Sequence, residues 1–148
     1  MTQLGLESIE GTHLKEEWSS GATTYLGLSV HGYPNMFHLY GPQAPTLLAN
    51  GPSCVEMQGR WIADMMDKVT RQGILYVNPK PEAARAWKKK IVELNDRTLM
   101  PTTTSTYMGG NIPGKPYEPV VWVAGIPAYK AEIRQALDSM AGFEVVKA

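Results

Sequence analysis

Cysteine is nearly absent from this sequence: Cys54 is the only one in 148 residues. A single thiol excludes any disulfide within the chain and suits a reducing compartment. A charge surplus is absent too, since Lys plus Arg and Asp plus Glu number 14 each. That balance excludes the basic footprint of a dedicated nucleic-acid binder, and it leaves no polybasic membrane anchor. No apolar run approaches the roughly 18 residues that a spanning helix needs. The opening Met1-Thr2-Gln3-Leu4-Gly5 lacks the basic region and apolar core of a signal peptide. The expectation is a cytoplasmic protein with no membrane span and no nucleic-acid partner.

Several catalytic signatures are missing as well. His13, His31 and His38 match no zinc spacing, and one cysteine cannot complete a set. No GxSxG elbow, GxGxxG turn or GxxxxGK[ST] loop is present; Gly109–Lys115 has the GxxxxGK spacing, but Pro116 follows it where the hydroxyl residue must stand. Asp64 and Asp67 read as solvated helix residues. The titratable groups by themselves nominate no catalytic residue.

What is present is an ordinary globular composition, 43% hydrophobic and 19% charged. A chain of this length buries about 68–70% of the surface its unfolded form exposes, enough for one domain with a core. The 11 prolines and 14 glycines gather at 32–34, 41–52, 79–81 and 109–119. Apolar periodic segments separate these clusters, which therefore read as ordered loops.

Residues 23–30 are β-branched and aromatic and predict a strand, and Met36-Phe37-His38-Leu39-Tyr40 predicts a second, buried one. A helix is expected from about Pro52 to Arg71, with Asn50 as N-cap, Gly73 as stop, and an apolar set at Val55, Ile62, Met66 and Val69 beside Trp61 and Met65. A second helix is expected over Pro81 to about Arg97 on the stripe Trp87, Ile91 and Leu94. Lys88-Lys89-Lys90 reads as a solvated face rather than a phosphate site, because successive residues point about 100° apart. Residues 102–119 predict a polar loop, long enough to be functional. Val120–Val123 predicts a strand. Tyr129, Ile133, Leu137 and Met140 predict a third helix, and Phe143–Val146 a short last strand.

The strongest local feature is strand, Gly-Pro loop and helix across 36–72. A helix N-terminus fed by such a loop exposes unpaired N–H groups and favours negative charge. On the loop alone an ordinary βα connection is the stronger reading, because no phosphate-binding glycine pattern accompanies it.

Longer patterns point further. Trp18–Gly27 resembles the W-x-x-G-x-x-T-Y-x-G stretch of Baeyer–Villiger flavin monooxygenases. Gly32–Phe37 followed by Tyr40-Gly41-Pro42 resembles their G-[FY]-P-N-[LM]-F-x-x-x-G-P run. Asn50-Gly51-Pro52, Glu56 and Trp61-Ile62 are similar to the helix that follows it. Ser105–Lys115 resembles S-W-x-x-G-x-N-[IV]-P-G-K, and Gly125–Tyr129 resembles the closing G-G-x-x-x-Y. The likeness runs collinearly over about residues 11–146, and as an ordered set these motifs are specific. The wording of Tyr33–Pro42 is most similar to fungal members that oxidise terpenoid, meroterpenoid or steroid-like ketones.

The resemblance implies an α/β fold: the C-terminal end of a Rossmann-like FAD-binding domain over 1–75, then a helical extension over 76–148 carrying the covering loop 102–119. It implies one part of a larger fold with two dinucleotide domains. It further implies FAD and NADP as cofactors, and a small-molecule ketone and O2 as partners in forming an ester or lactone. Gly41, Pro42, Gln43, Asn50 and Gly51 are placed by it beside the flavin, and Thr106, Tyr107 and Asn111 on the loop over NADP and substrate. Thr106 stands where many members carry Trp, with Tyr107 next to it. The family's GxGxxG turn, its FxGxxxHxxxW fingerprint and its NADPH domain with the catalytic arginine are not in these 148 residues. The expectation is therefore that the isolated chain holds FAD weakly. The alternatives are a non-catalytic remnant or binding module, or missing N-terminal domains supplied by another chain.

Overall fold

The computed structural model describes residues 1–111 and 113–147. Ile112, in the predicted 102–119 loop, lies outside the described residues. The fold is mixed α/β. Helix α1 spans Leu14–Glu17, α2 Gly51–Arg71, α3 Pro81–Asn95 and α4 Gly125–Ser139. Strand β1 spans Ile74–Pro79 and β2 Phe143–Lys147. The strands pair antiparallel, Val77 opposite Val145 and Pro79 opposite Phe143.

Helix α2 starts where its chemistry says it should. The Asn50 side chain accepts from the Ser53 N–H at 3.2 Å, and Pro52 occupies the first turn, where its missing donor costs nothing. Gly73 ends the segment with φ of 62°. The buried stripe, however, is Cys54, Gln58, Trp61 and Met65, while Met66 is 60% exposed. The predicted set is thus rotated by about one residue. Its error was to follow apolar residues only, when the inward face includes a polar one, Gln58.

Helix α4 packs across α2. Trp61 Nε1 donates to the Ile133 carbonyl at 2.6 Å, and Lys68 Nζ donates to the Leu137 and Asp138 carbonyls at 2.6 and 3.0 Å. A cation on those last carbonyls complements the negative end of the α4 dipole. Helix α3 buries Trp87 and Ile91 as predicted, with Leu94 half-buried and Ala84 and Asn95 added to the stripe. Trp87 stacks on Trp122 with centroids 5.1 Å apart, and both rings lean on Tyr129. One apolar cluster joins these helices to Leu26, Leu28, Val77 and Phe143, and a smaller one gathers Leu14, Trp18, Val30 and Tyr33.

Three predicted strands are not strands. Leu26 and Gly27 take φ of 61° and 65°, so the chain reverses there. Tyr25 then bonds to Ser29, at 2.8 and 3.2 Å, instead of to a long partner. Ser29 in turn bridges Phe37 singly, and Val121 bridges Ala44 in parallel. The β-branched and aromatic residues of 23–30, 36–40 and 120–123 serve burial, not a ladder. So the expected strand–loop–helix over 36–72 keeps its helix and loses its strand.

Strand β1 was not predicted at all. Its open edge is covered by Asn35, with φ of 57°. Asn35 N donates to Val77 O and its Nδ2 to Leu75 O, while Val77 N donates to its Oδ1, at 3.0, 3.1 and 3.0 Å. The Gly32–Asn35 motif therefore docks a loop onto a strand edge that would otherwise be free to pair. Among the described residues no helix is long and apolar enough to cross a membrane.

Candidate functional site

The Tyr40–Gln43 turn is the junction of the molecule. Tyr40 and Gln43 both lie in the left-handed region, with φ of 55° and 68°. Such a conformation costs a non-glycine residue about 1–2 kcal/mol, so the surroundings must hold it. Two fully buried glutamines do this from either side. Gln58 Oε1 accepts from Tyr40 N at 2.9 Å. The Gln43 side chain turns inward, where its Oε1 accepts from Thr24 N and Thr24 Oγ1 at 3.0 and 2.7 Å. Its Nε2 donates to Ala22 O at 2.9 Å, and its backbone N donates to Val120 O at 2.7 Å.

One side of this turn faces the start of α2. The Tyr40 hydroxyl donates to Thr46 O at 2.9 Å, and it lies 3.4 Å from where a Cβ on Gly51 would sit. Within the first turn of α2, Pro52 has no donor, the Ser53 N–H meets Asn50 Oδ1, and the Cys54 N–H meets Asn50 O at 3.0 Å. That leaves the Gly51 N–H as the donor this terminus can offer outward. Leu39, Tyr40 and Leu48 are exposed nearby. A free N–H beside apolar surface suits a flat heteroaromatic ring with electron-rich edges, so these residues fit the ring of a flavin. A Cβ on Gly41 would overlap the His38 ring, which explains why the turn needs glycine there.

His38 is half-buried, with both ring nitrogens shut off from solvent. Among the described residues neither ring nitrogen has a partner, and burial, aided by the positive charge of the amino terminus, lowers its pKa to about 4. It is a neutral wedge beneath the turn. Of the other two histidines, His13 is exposed before α1, and His31 is half-buried with its Nδ1 bonded to the Pro79 carbonyl at 2.7 Å. Among the described residues no cluster of three or more His, Cys, Asp or Glu could hold a metal.

The opposite side of the turn opens into a largely apolar cleft of about 340 Å³. Pro42, Trp18, Ala22, Thr106, Pro116 and Val120 are among its lining residues. The loop that closes it is tied at its base, where Glu118 N donates to Met108 O at 3.1 Å and Val120 N to Tyr107 O at 2.9 Å. Two charged side chains latch it to the body. Lys115 Nζ donates to the Trp18 carbonyl, and the Glu118 carboxylate meets Lys88 of α3 at 2.8 Å. Glu118 lies against Gly21, where a Cβ would overlap its carboxylate.

Of the residues singled out in the sequence, the structure brings Gly41, Pro42 and Gln43 into one turn, Asn50 and Gly51 against its Tyr40 side, and Thr106 against its Pro42 side. Tyr107 is half-buried at the base of the loop and Asn111 exposed on it. Neither lines the cleft. The three consecutive lysines take three separate carboxylates, Lys88 with Glu118, Lys89 with Glu93 and Lys90 with Glu132. Sequence reasoning missed Gln58, Tyr129, Lys115 and Glu118. A glutamine on an otherwise apolar stripe was the available signal for the first.

This arrangement has known counterparts. By sequence and by fold the chain matches one part of FAD-binding and Baeyer–Villiger monooxygenases. The FAD-binding monooxygenase acrE of Aspergillus aculeatus is 54% identical over all 148 residues, which make up 25% of that protein. Cyclopentanone 1,2-monooxygenase of Comamonas sp. is 34% identical, over 98% of this chain and 26% of its own length. A closed crystal structure of cyclohexanone monooxygenase superposes with a TM-score of 0.91 at 31% identity, over 99% of this chain and 28% of that one. The Rhodococcus sp. Phi1 cyclohexanone monooxygenase bound to NADP+ gives a TM-score of 0.90 at 30% identity, over 96% of this chain and 27% of that one. The chain thus spans about a quarter of the length of the relatives it matches. No protein-family model matches it.

Proposed function

We propose that this chain forms one wall of the active site of an FAD- and NADPH-dependent monooxygenase that converts a ketone to an ester or lactone. In this reading residues 1–75 close the FAD-binding domain and 76–148 form the extension that covers it. The supporting observation is the strained Tyr40–Gln43 turn, held between a helix N-terminus and an apolar cleft. FAD, when bound, supplies the electrons that NADPH delivers and that O2 consumes. The rest of the work falls to this chain's own atoms. The Gly51 N–H and the positive end of the α2 dipole face the ring edge and favour negative charge there. Gly41 and Pro42 bring backbone close to the ring without a side chain between. Asn50 fixes the helix start, and Gln43 braces the turn from inside. The 102–119 loop covers NADP and substrate, with Thr106 on the cleft side keeping water out and Tyr107 and Asn111 carried on the loop outside the cleft.

The substrate class in this reading is a terpenoid, meroterpenoid or steroid-like ketone, in a cytoplasmic setting. The fungal FAD-binding monooxygenases VdtE of Byssochlamys spectabilis and lolF2 of Epichloe uncinata, 37% and 32% identical, support a role in secondary metabolism. The test is a chimera in which this chain replaces the matching quarter of the acrE monooxygenase. We expect it to retain stoichiometric flavin through desalting and to consume NADPH faster when a ketone is added. A folded chimera that carries no flavin contradicts the reading and leaves a non-catalytic remnant.

A further inference from the structure

We propose that Gln58 and Tyr129 are positioning residues, a buried relay that sets the Tyr40–Gln43 turn for its cofactor from the far side of the core. The proposal rests on the reading of Gly41 and Pro42 as cofactor-facing. Its geometry is continuous. The Tyr40 N–H donates to Gln58 Oε1 at 2.9 Å, Gln58 Nε2 donates to the Tyr129 hydroxyl at 2.9 Å, and that hydroxyl donates to Leu26 O at 2.7 Å. Gln58 and Tyr129 are both fully buried, 71 residues apart in sequence, on α2 and α4. Every atom of the relay that can bond does so, and burial holds the Tyr129 phenol well above its ordinary pKa, so it stays a neutral donor.

The arrangement is directional in a useful way. A primary amide accepts from a backbone N–H at one atom and donates at another, without a charge to desolvate. The Tyr40 N–H belongs to a left-handed residue, which makes no regular ladder and has no backbone partner. The relay ends on Leu26, another left-handed non-glycine residue, whose neighbour Gly27 packs directly on Ala44. One hydrogen-bond chain therefore ties both strained turns to α4. A polar chain across an apolar core is worth having only if every member is satisfied, and here each one is.

The decisive substitution is Tyr129→Phe, which removes one hydroxyl and leaves the ring in place. In the 148-residue chain, the Tyr40 amide should exchange with solvent about tenfold faster, the effect of weakening one buried hydrogen bond. Ile133→Val, a core change that leaves the relay intact, should not single out Tyr40. Gln58→Met repeats the test where folding permits, and Gln58→Glu should restore slow exchange only at acidic pH, where its carboxyl is neutral. In the flavin-loaded chimera, Tyr129→Phe should also shift the visible flavin band and raise flavin dissociation about tenfold, with Ile133→Val again silent. Uniform exchange across the core in Tyr129→Phe overturns the proposal. Selective exchange with an unaltered flavin band and affinity overturns it as well, because the relay would then brace the turn without serving the cofactor. A parent chimera that takes up no flavin counts against the cofactor reading itself. That failure is recognised separately, since the exchange readout in the chain needs no cofactor.

Discussion

Replacing Gly27 by alanine should be one of the most damaging single-methyl changes in this chain. Gly27 has φ of 65°, and a Cβ built there lies 2.7, 2.8 and 2.9 Å from Ala44 N, Cα and Cβ. These atoms cannot step aside. Ala44 is fully buried, its carbonyl accepts from Trp122 N at 3.0 Å, and the preceding Gln43 N is tied to Val120 O at 2.7 Å. Alanine in a left-handed conformation costs about 1–2 kcal/mol. Overpacking a fixed site adds about 1–3 kcal/mol. Together these give about 2–5 kcal/mol, against a total stability of about 5–15 kcal/mol for a domain. For a chain of this size that corresponds to a fall of roughly 4–20 °C in Tm. Urea denaturation followed by circular dichroism measures it directly. Gly59→Ala is the matched control, since nothing lies within 4 Å of its Cβ in α2 and alanine there should add about 1 kcal/mol. If Gly27→Ala melted within about 0.5 kcal/mol of the parent while Gly59→Ala behaved as stated, the argument that Gly27 seats Ala44 and the turn behind it would be refuted.

Acid titration should expose His38. Unfolded, it takes a proton near 6.5; folded, near 4. Between those values the unfolded state binds more protons, so its contribution is complete above pH 6.5 and is lost as pH falls toward 4. The loss is at most about 3 kcal/mol, and His38→Met should flatten that part of a stability–pH curve. Asn50→Ala removes the acceptor for Ser53 N and should cost about 1 kcal/mol in a thermal melt. Glu118→Gln weakens the tie to Lys88 and should speed cleavage within 109–117 by a nonspecific protease roughly two- to fivefold, with no change in Tm beyond a few degrees.

The three long helices were legible because their signals are local. Asn50 with Pro52, Pro81, and Gly73 and Gly142 after α2 and α4 mark ends that need no knowledge of the rest of the chain. Of the strands only the last, expected over Phe143–Val146 and found at Phe143–Lys147, was legible, and the others were not for a physical reason. The run from Thr23 to Val30 has the composition of a strand, but Leu26 adopts a left-handed conformation that composition does not encode. It is held there by contacts over 100 residues away, through Tyr129. Strand β1 was passed over although its partner β2 had been expected over Phe143–Val146, because the pairing joins segments about 70 residues apart and leaves no local signal on Ile74–Pro79. The same holds for the site. Gly41, Pro42 and Gly51 were found through resemblance, whereas Gln58, which holds them, is visible only once α2 has been given its true inward face. The partners of Lys115 and Glu118, the Trp18 carbonyl and Lys88, lie 97 and 30 residues away and leave no local signal.

The central claim is that the face bearing Gly41, Pro42 and Gly51 meets the flavin ring. Hydrogen–deuterium exchange on the acrE chimera, apo against FAD-loaded, tests it most directly. The account predicts new protection concentrated in 38–53, with little change along the outward face of α3 over 82–93. Protection that spares 38–53 and falls instead on the groove between α2 and α4, at residues such as Met57, Arg60 and Arg134, would contradict it.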